Sequence, residues 1–242
     1  MQSLILENRP LNGSVMSMRL RCGTDSFRRP GQFVQIAVPG FYLRRPISVC
    51  EQSSGEIRLV YKVVGSGTER LAAFSDGETI DIIPGLGNGF DTSLLGDAPL
   101  LVGGGVGLPP LLGLCRTLIG EGKHPSVLAG FAAAGDAFLL EDFAGLDVPV
   151  TVTTQDGGMG IHGLVTDALS GLRYDSLAAC GPIPMMKALR RAAAPVPQLY
   201  SLEERMGCGF GACMGCTIET AVGPRRVCCD GPVFRGEELM WS

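Results

Sequence analysis

Pro99-Leu100-Leu101-Val102-Gly103-Gly104-Gly105-Val106-Gly107-Leu108-Pro109-Pro110-Leu111-Leu112 decides how this chain folds. A short apolar run ends in glycines, and a second apolar run begins behind two prolines. The first run reads as a strand. The second reads as a helix, because proline is tolerated in a helix's first turn, where the N–H has no partner anyway. A strand, a glycine turn and a helix make the first βα turn of a nucleotide-binding α/β unit. The spacing departs from G-x-G-x-x-G, so the standard dinucleotide fingerprint is not met.

Downstream the same alternation repeats. Residues 126–132, 148–154 and 176–182 read as strands, and helices start within 162–169 and 184–191. Strands alternating with helices predict a parallel sheet. Ligands of such sheets bind at the carboxyl ends of the strands. Those ends are residues 103–107, 156–160 and 180–184. The first and last supply Gly103, Gly104, Gly105, Gly107, Pro109, Cys180, Gly181 and Pro182 as candidate nucleotide contacts. The tip of the second strand, Gly130-Phe131-Ala132-Ala133-Ala134-Gly135-Asp136, offers no cation. A 2′-phosphate needs one there, so NAD is favoured over NADP.

Upstream the pattern changes. Residues 14–20, 33–38, 57–64 and 78–83 read as short strands, with turns at 30–32, 53–55 and 76–77. Closely spaced strands of this kind predict a small antiparallel barrel. Residues 84–90 are rich in glycine and mark the boundary after it. Two signals lie inside. In Leu43-Arg44-Arg45-Pro46-Ile47-Ser48 an arginine and a serine stand three apart on a strand. A guanidinium offers a planar donor fork to a phosphate, and a hydroxyl adds a donor. In Tyr61-Lys62-Val63-Val64-Gly65-Ser66-Gly67-Thr68 a strand runs into a glycine turn that opens a helix. Free N–H groups there suit a diphosphate. An ordinary surface strand and a plain strand-to-helix turn are the competing readings.

The tail carries Cys208-Gly209-Phe210-Gly211-Ala212-Cys213-Met214-Gly215-Cys216, then Cys228 and Cys229. The spacing C-x4-C-x2-C with a fourth cysteine further on is the plant-type pattern for a [2Fe–2S] cluster. Two irons bridged by sulfides need four thiolates, and glycines let the loop wrap them. Structural zinc and disulfides are the alternatives, although zinc ligands usually come in C-x2-4-C pairs and disulfides need an oxidising compartment. Adjacent side chains of extended chain point apart, so one of Cys228 and Cys229 reaches the cluster. Ligation would stabilise a tail too short for a core of its own.

Composition agrees. The chain has 242 residues, enough for two domains and a small appendix. Its net charge of −4, without a basic block, argues against nucleic acid. Aromatic residues are only 6%, too few for base-stacking platforms. No apolar run of membrane-spanning length is free of turn residues. The N-terminus has no basic segment followed by an apolar core, which predicts a cytoplasmic protein. Nine cysteines then suggest metal or redox use. Of the scattered Cys22, Cys50, Cys115 and Cys180, three read as small buried hydrophobes.

With these motifs together, the first 195 or so residues resemble the ferredoxin–NADP reductase superfamily. Arg45-x-x-Ser48 looks like its flavin motif, and Gly103 to Pro109 with Cys180-Gly181-Pro182-x-Pro184-Met185 like its pyridine-nucleotide motifs. The tail, from Glu204 through Cys216 and on to Cys228-x-Asp230-Gly231-Pro232-Val233-Phe234, resembles the electron-transfer subunits of class 1B, NAD-dependent dihydroorotate dehydrogenases.

The resemblance implies β plus α/β architecture: an FAD-binding barrel over 1–96, an NAD-binding α/β domain over 97–195 and a [2Fe–2S] domain over 196–242. It implies that Arg45, Pro46, Ile47, Ser48, Val60, Tyr61, Lys62, Gly65, Gly67 and Thr68 hold FAD. It implies Cys208, Cys213, Cys216 and Cys228 as cluster ligands. The partner would be an FMN-containing catalytic subunit that oxidises dihydroorotate in pyrimidine biosynthesis, two of each forming a heterotetramer. Electrons would run from partner FMN through the cluster and FAD to NAD+. NAD exchanges two electrons, the cluster one, and a flavin either, so the flavin sits between them. No side chain of this chain need act as an acid or base. The alternative is the flavin and iron–sulfur subunit of another complex, of hydrogenase or transhydrogenase type.

Overall fold

In the computed structural model, residues 1–242 are described except Thr24, Ala194 and Ser242. The N-terminal part holds β1 (Gln2–Pro10), β2 (Val15–Arg21), β3 (Phe33–Ile36), β4 (Arg45–Ser53), β5 (Glu56–Lys62), α1 (Ser66–Ala72) and β6 (Thr79–Leu86). The strands close as a barrel in the order β1-β2-β5-β4-β3-β6, every pair antiparallel. Alternate residues point inward, and Ile5, Met18, Leu20, Val34, Ile36, Leu59 and Ile82 fill the interior. Leu71 of α1 is fully buried with them, so the helix plugs one end. Its last carbonyls lack helical partners. Asn8 Nδ2 donates to Leu71, Ala72 and Phe74 O at 3.2, 3.3 and 2.9 Å.

The barrel does not end at Pro84, where the sequence pattern breaks. β6 runs on to Leu86 through an irregular register opposite Phe33 and Gln35. Gly85 makes this possible with φ +67°, and a Cβ there would lie 2.4 Å from the Ser26 carbonyl.

The second part holds β7 (Pro99–Gly104), α2 (Leu108–Gly120), β8 (Ser126–Phe131), α3 (Leu140–Ala144), β9 (Val150–Thr154), β10 (Ile161–His162), α4 (Val165–Ala168), β11 (Ser176–Cys180) and α5 (Ile183–Ala192). Beyond them lie β12 (Gln198–Ser201), β13 (Thr217–Thr220), β14 (Gly223–Arg226) and β15 (Val233–Arg235). The large sheet has the order β10-β9-β8-β7-β11-β12-β15. All its pairs are parallel except β12 with β15. The strand order reverses at β7, between β8 and β11, which is where such sheets open a ligand crevice. The sheet also continues past residue 195, where the α/β segment was expected to end. β12 and β15 carry it into the cysteine-rich tail.

α2 is buried nearly all round, as a helix covered on both sides must be. It lies between the large sheet and the barrel. Gly113 faces β4, and a Cβ there would be 2.7 Å from the Cys50 carbonyl. Half-buried Arg58 completes the seam by pairing with Glu51 at 3.1 Å and with Asp142. The hairpin of β13 and β14 is tied to a second core that includes Phe33, Tyr200, Cys216, Val227, Cys228 and Phe234.

Candidate cofactor sites

The register of β3 and β4 sorts the first motif by face. Ile36 pairs with Arg45, Gln35 with Pro46, Val34 with Ile47 and Phe33 with Ser48. Paired residues share a face. Arg44 is engaged elsewhere, with the carboxylate of Asp81 on β6. Arg45 stands over the Phe41 ring at 4.9 Å and donates to the Leu43 carbonyl. A Cβ on Gly67 would fall 2.3 Å from its Nη2. The two barrel motifs, separate in sequence, therefore meet at the start of α1. Only a residue without a side chain leaves room for the guanidinium, and the resulting cradle fits a diphosphate.

The remaining residues of this group divide. Thr68 Oγ1 accepts from the Val64 and Gly65 N–H groups at 2.8 and 3.2 Å and donates to the Gly65 carbonyl at 2.9 Å. Its hydroxyl closes the turn from inside. Tyr61 points into the barrel, where its hydroxyl donates to Asn8 Oδ1 at 3.1 Å. Burial raises its pKa. Val60 is also buried. What this strand can offer a ligand is backbone. The β4–β5 register begins at Val49 with Leu59, so Val60 to Lys62 pair only with β2.

At the crevice, the glycines bring two βα turns into contact. A Cβ on Gly107 would lie 2.0 Å from the Cys180 carbonyl, and one on Gly104 2.6 Å from Met185 Sδ. Gly105 differs: it has φ +52° and faces open space. Pro109 is buried in the first turn of α2. The turns flank a cavity of about 680 Å³, within the usual range for small-molecule sites. Gly104 to Val106, Gly130 to Ala132, Gly181 and Pro182 line it, with Lys62 reaching in from the barrel. Asp136, in the loop after β8, lines the same cavity.

Met185, the last residue of the Cys180-Gly181-Pro182-x-Pro184-Met185 motif, packs against both glycine turns. A further lining residue, Glu203, carried no sequence signal. Glu203 faces the cavity, so its surface stays accessible while protein atoms crowd round it. Burial raises its carboxyl above the usual range. Cys180 lies nearby and is itself fully enclosed. Burial pushes its thiol up, the Glu203 charge adds to this, and a hydrogen bond with Ser201 opposes it.

The tail thiols form two pairs. Cys208 Sγ accepts from the Ala212 and Cys213 N–H groups at 3.2 and 3.4 Å, and Cys213 Sγ accepts from Cys208 N–H at 3.5 Å. Burial raises the Cys208 thiol, but these N–H groups outweigh it and bring it down to about 6. Cys216 and Cys228 are both buried and in contact, and Cys216 Sγ accepts from Cys228 N–H at 3.4 Å. Burial, then that contact, pushes Cys228 up to about 12. Cys229 is half-buried against Gly211, where a Cβ would lie 2.7 Å from its sulfur. Two dithiol pairs are the donor set of a two-iron centre.

The loop is held in place. Arg226 donates to the Gly211 carbonyl at 2.9 Å and pairs with Asp230 at 3.2 Å. Phe210 and Met214 stand out from it, 59% and 55% exposed.

Comparison with known proteins gives a consistent answer. Residues 203–240 match the family described as the iron-sulfur cluster binding domain of dihydroorotate dehydrogenase B. The chain is 39% identical over 251 residues to the electron transfer subunit of dihydroorotate dehydrogenase B (NAD(+)) from Bacillus pumilus, covering 98% of this chain and 97% of the relative. The corresponding subunit of Bacillus caldolyticus is 41% identical over 230 residues, 89% of this chain and 88% of that one. Among solved structures, an NADH-dependent reduced ferredoxin-NADP oxidoreductase studied for flavin-based electron bifurcation superposes with a TM-score of 0.89. It is 31% identical and covers 99% of this chain and 90% of its own. A ferredoxin NADP+ reductase from Neisseria gonorrhoeae, solved with FAD and NADP, shares the fold at a TM-score of 0.68 and 15% identity, over 79% of this chain and 89% of that one.

Proposed function

The chain belongs to the electron transfer subunits of NAD(+)-dependent dihydroorotate dehydrogenase B, and from that membership we propose how its residues hold the cofactors and meet a partner. The family function is electron transfer among a [2Fe–2S] cluster, FAD and NAD. The bound groups supply the electron chemistry: one electron at a time on the cluster, one or two on FAD, and a hydride on NAD.

In our reading the side chains bind and orient. Arg45 and the N–H groups of Gly65 to Gly67 take the flavin diphosphate. Ser48 and the single-sided backbone of Val60 to Lys62 take the rest of that ligand, with Pro46 and Ile47 setting the strand. Thr68 shapes the turn and does not touch the ligand. Gly103 to Gly107, Pro109 and Cys180 to Pro182 shape the NAD cavity, with Gly105 the one open backbone approach. Cys208 and Cys213 take one iron, Cys216 and Cys228 the other. The observation that carries this set is the pairing of the four thiols beside the flavin strand.

The partner reading goes further. The name borne by the relatives implies a catalytic subunit. We take it to be an FMN protein that oxidises dihydroorotate, assembled two and two with this chain in the cytoplasm. Support comes from Phe210 and Met214, apolar and exposed on the cluster loop, where electrons must enter. Among the described residues no helix is long and apolar enough to cross a membrane.

Mixing the flavin- and iron-loaded chain with the dihydroorotate-oxidising subunit from the same source tests this. Stable association and dihydroorotate-dependent NAD+ reduction are expected. A loaded chain that neither binds that subunit nor couples it to NAD+ refutes the partner assignment.

A further inference from the structure

Gln35, on the barrel's outer face, has a fully enclosed side chain with neither polar atom hydrogen-bonded among the described residues. A buried carboxamide is normally satisfied at both ends. The position explains what is missing. Gln35 pairs with Pro46 and lies diagonal to Ser48, so its side chain shares the face of the flavin strand. On the other side it meets the cysteine loop. A Cβ on Gly209 would lie 2.6 Å from both Cγ and Nε2 of Gln35. Gly209 follows Cys208 directly and has φ +80°, a conformation that keeps the loop close over the amide.

We propose that Gln35 is a positioning residue of the electron relay, with Nε2 donating a hydrogen bond to the sulfur of the Cys208 side of the cluster. This rests on the reading of the cysteine loop as a [2Fe–2S] site. The backbone N–H groups of Ala212 and Cys213 already converge on the Cys208 sulfur. Gln35 adds a donor from outside the loop, and from β3, the strand paired with the one that carries the flavin motif. Donors to cluster sulfurs favour the reduced, more negative form and so raise the potential. The amide thus ties the cluster's electron affinity to the seat of the flavin, the group with which it exchanges electrons.

The test compares Gln35→Met with the parent chain, both purified with their cofactors. Methionine keeps the length and removes the donor. Flavin and iron contents are measured first, then the cluster's midpoint potential by redox titration followed by EPR. The expected result is an intact cluster with a lower potential. The ratio of reduced to oxidised cluster at a fixed potential should fall roughly fivefold, about 40 mV for a one-electron couple. An intact cluster with unchanged potential and unchanged EPR line shape overturns the proposal. A parent chain with no cluster EPR signal overturns the underlying cluster assignment instead.

A second arm needs no substitution. In the reduced parent chain, pulsed EPR should detect a weakly coupled nitrogen that changes isotope when glutamine is labelled with ¹⁵N in its side-chain amide. The same coupling with and without the label refutes the contact.

Discussion

Replacing Gly67 by alanine tests the flavin cradle with a single methyl group. The added Cβ would lie 2.3 Å from Nη2, 2.4 Å from Nε and 2.7 Å from Cζ of Arg45. Those atoms end a flexible side chain, so the guanidinium yields and the barrel does not. Within α1 the change from glycine to alanine is favourable by about 0.5–1 kcal/mol. Arg45, however, must leave the start of the helix. A hydrogen bond from a charged group is worth about 1.5–3 kcal/mol. Its loss predicts FAD binding weaker by about ten- to a hundredfold. Stability and affinity should therefore move in opposite directions. The apoprotein melts at the same temperature or slightly higher, while the flavin Kd, read from fluorescence quenching on titration, rises. Arg45→Ala should give a similar loss of affinity. If Gly67→Ala binds FAD as tightly as the parent chain, or if its apoprotein melts lower, the reasoning fails.

The cluster ligands and the cavity carboxylate give two more expectations. Cys228→Ser should lose iron and visible absorption, whereas Cys229→Ser should retain about two irons per chain; equal iron in both variants would refute Cys228 as the fourth ligand, and loss only in Cys229→Ser would reverse the assignment. Glu203 has its carboxyl raised by burial from an ordinary value of 4.5. An acid raised on folding adds stability below its ordinary value, and that stability is lost as pH rises through the raised one. Glu203→Gln should therefore be more stable than the parent at neutral pH and no more stable near pH 4, about the unfolded value. Thermal melts across that range would show a constant offset if the carboxyl were not responsible.

Local chemistry was legible and side-chain direction was not. The glycine turns after β7 and β11, the cysteine spacing and the strands β2, β3 and β5 all depend on residue type at fixed intervals, and lie where the sequence put them; β1 (Gln2–Pro10) is not among the strands read from sequence. Thr68 and Tyr61 show the limit. Both belong to the stretch read as ligand-binding, yet the threonine hydroxyl bonds inside its own turn and the tyrosine faces the barrel interior. Nothing in a residue's identity says which face of the strand is wet. β6 failed for a different reason. Pro84 and Gly85 end most strands, but here an irregular register absorbs both. The attachment of β15 was hidden too. It is a strand of three residues paired with another over thirty positions earlier, and the pairing leaves no periodic trace.

That attachment explains how so short a tail can support an electron relay. β15 extends the large sheet through β12. Asn88, from the loop behind the barrel, donates to the Val233 carbonyl at 2.8 Å and accepts from its N–H at 3.1 Å. Phe33 of the barrel packs in the same core as Cys216, Val227 and Cys228. The buried dithiol pair is thus fixed to both larger bodies at once, whereas Cys213 and the apolar side chains of Phe210 and Met214 face outward. Electron transfer within the chain needs a spacing that does not vary, and a rigid supporting shell provides it. Exchange with a second protein needs an accessible edge. The tail meets both demands by burying one half of its ligand set and exposing the other. The loop of the exposed half is the one that packs, at Gly209, over the amide of Gln35.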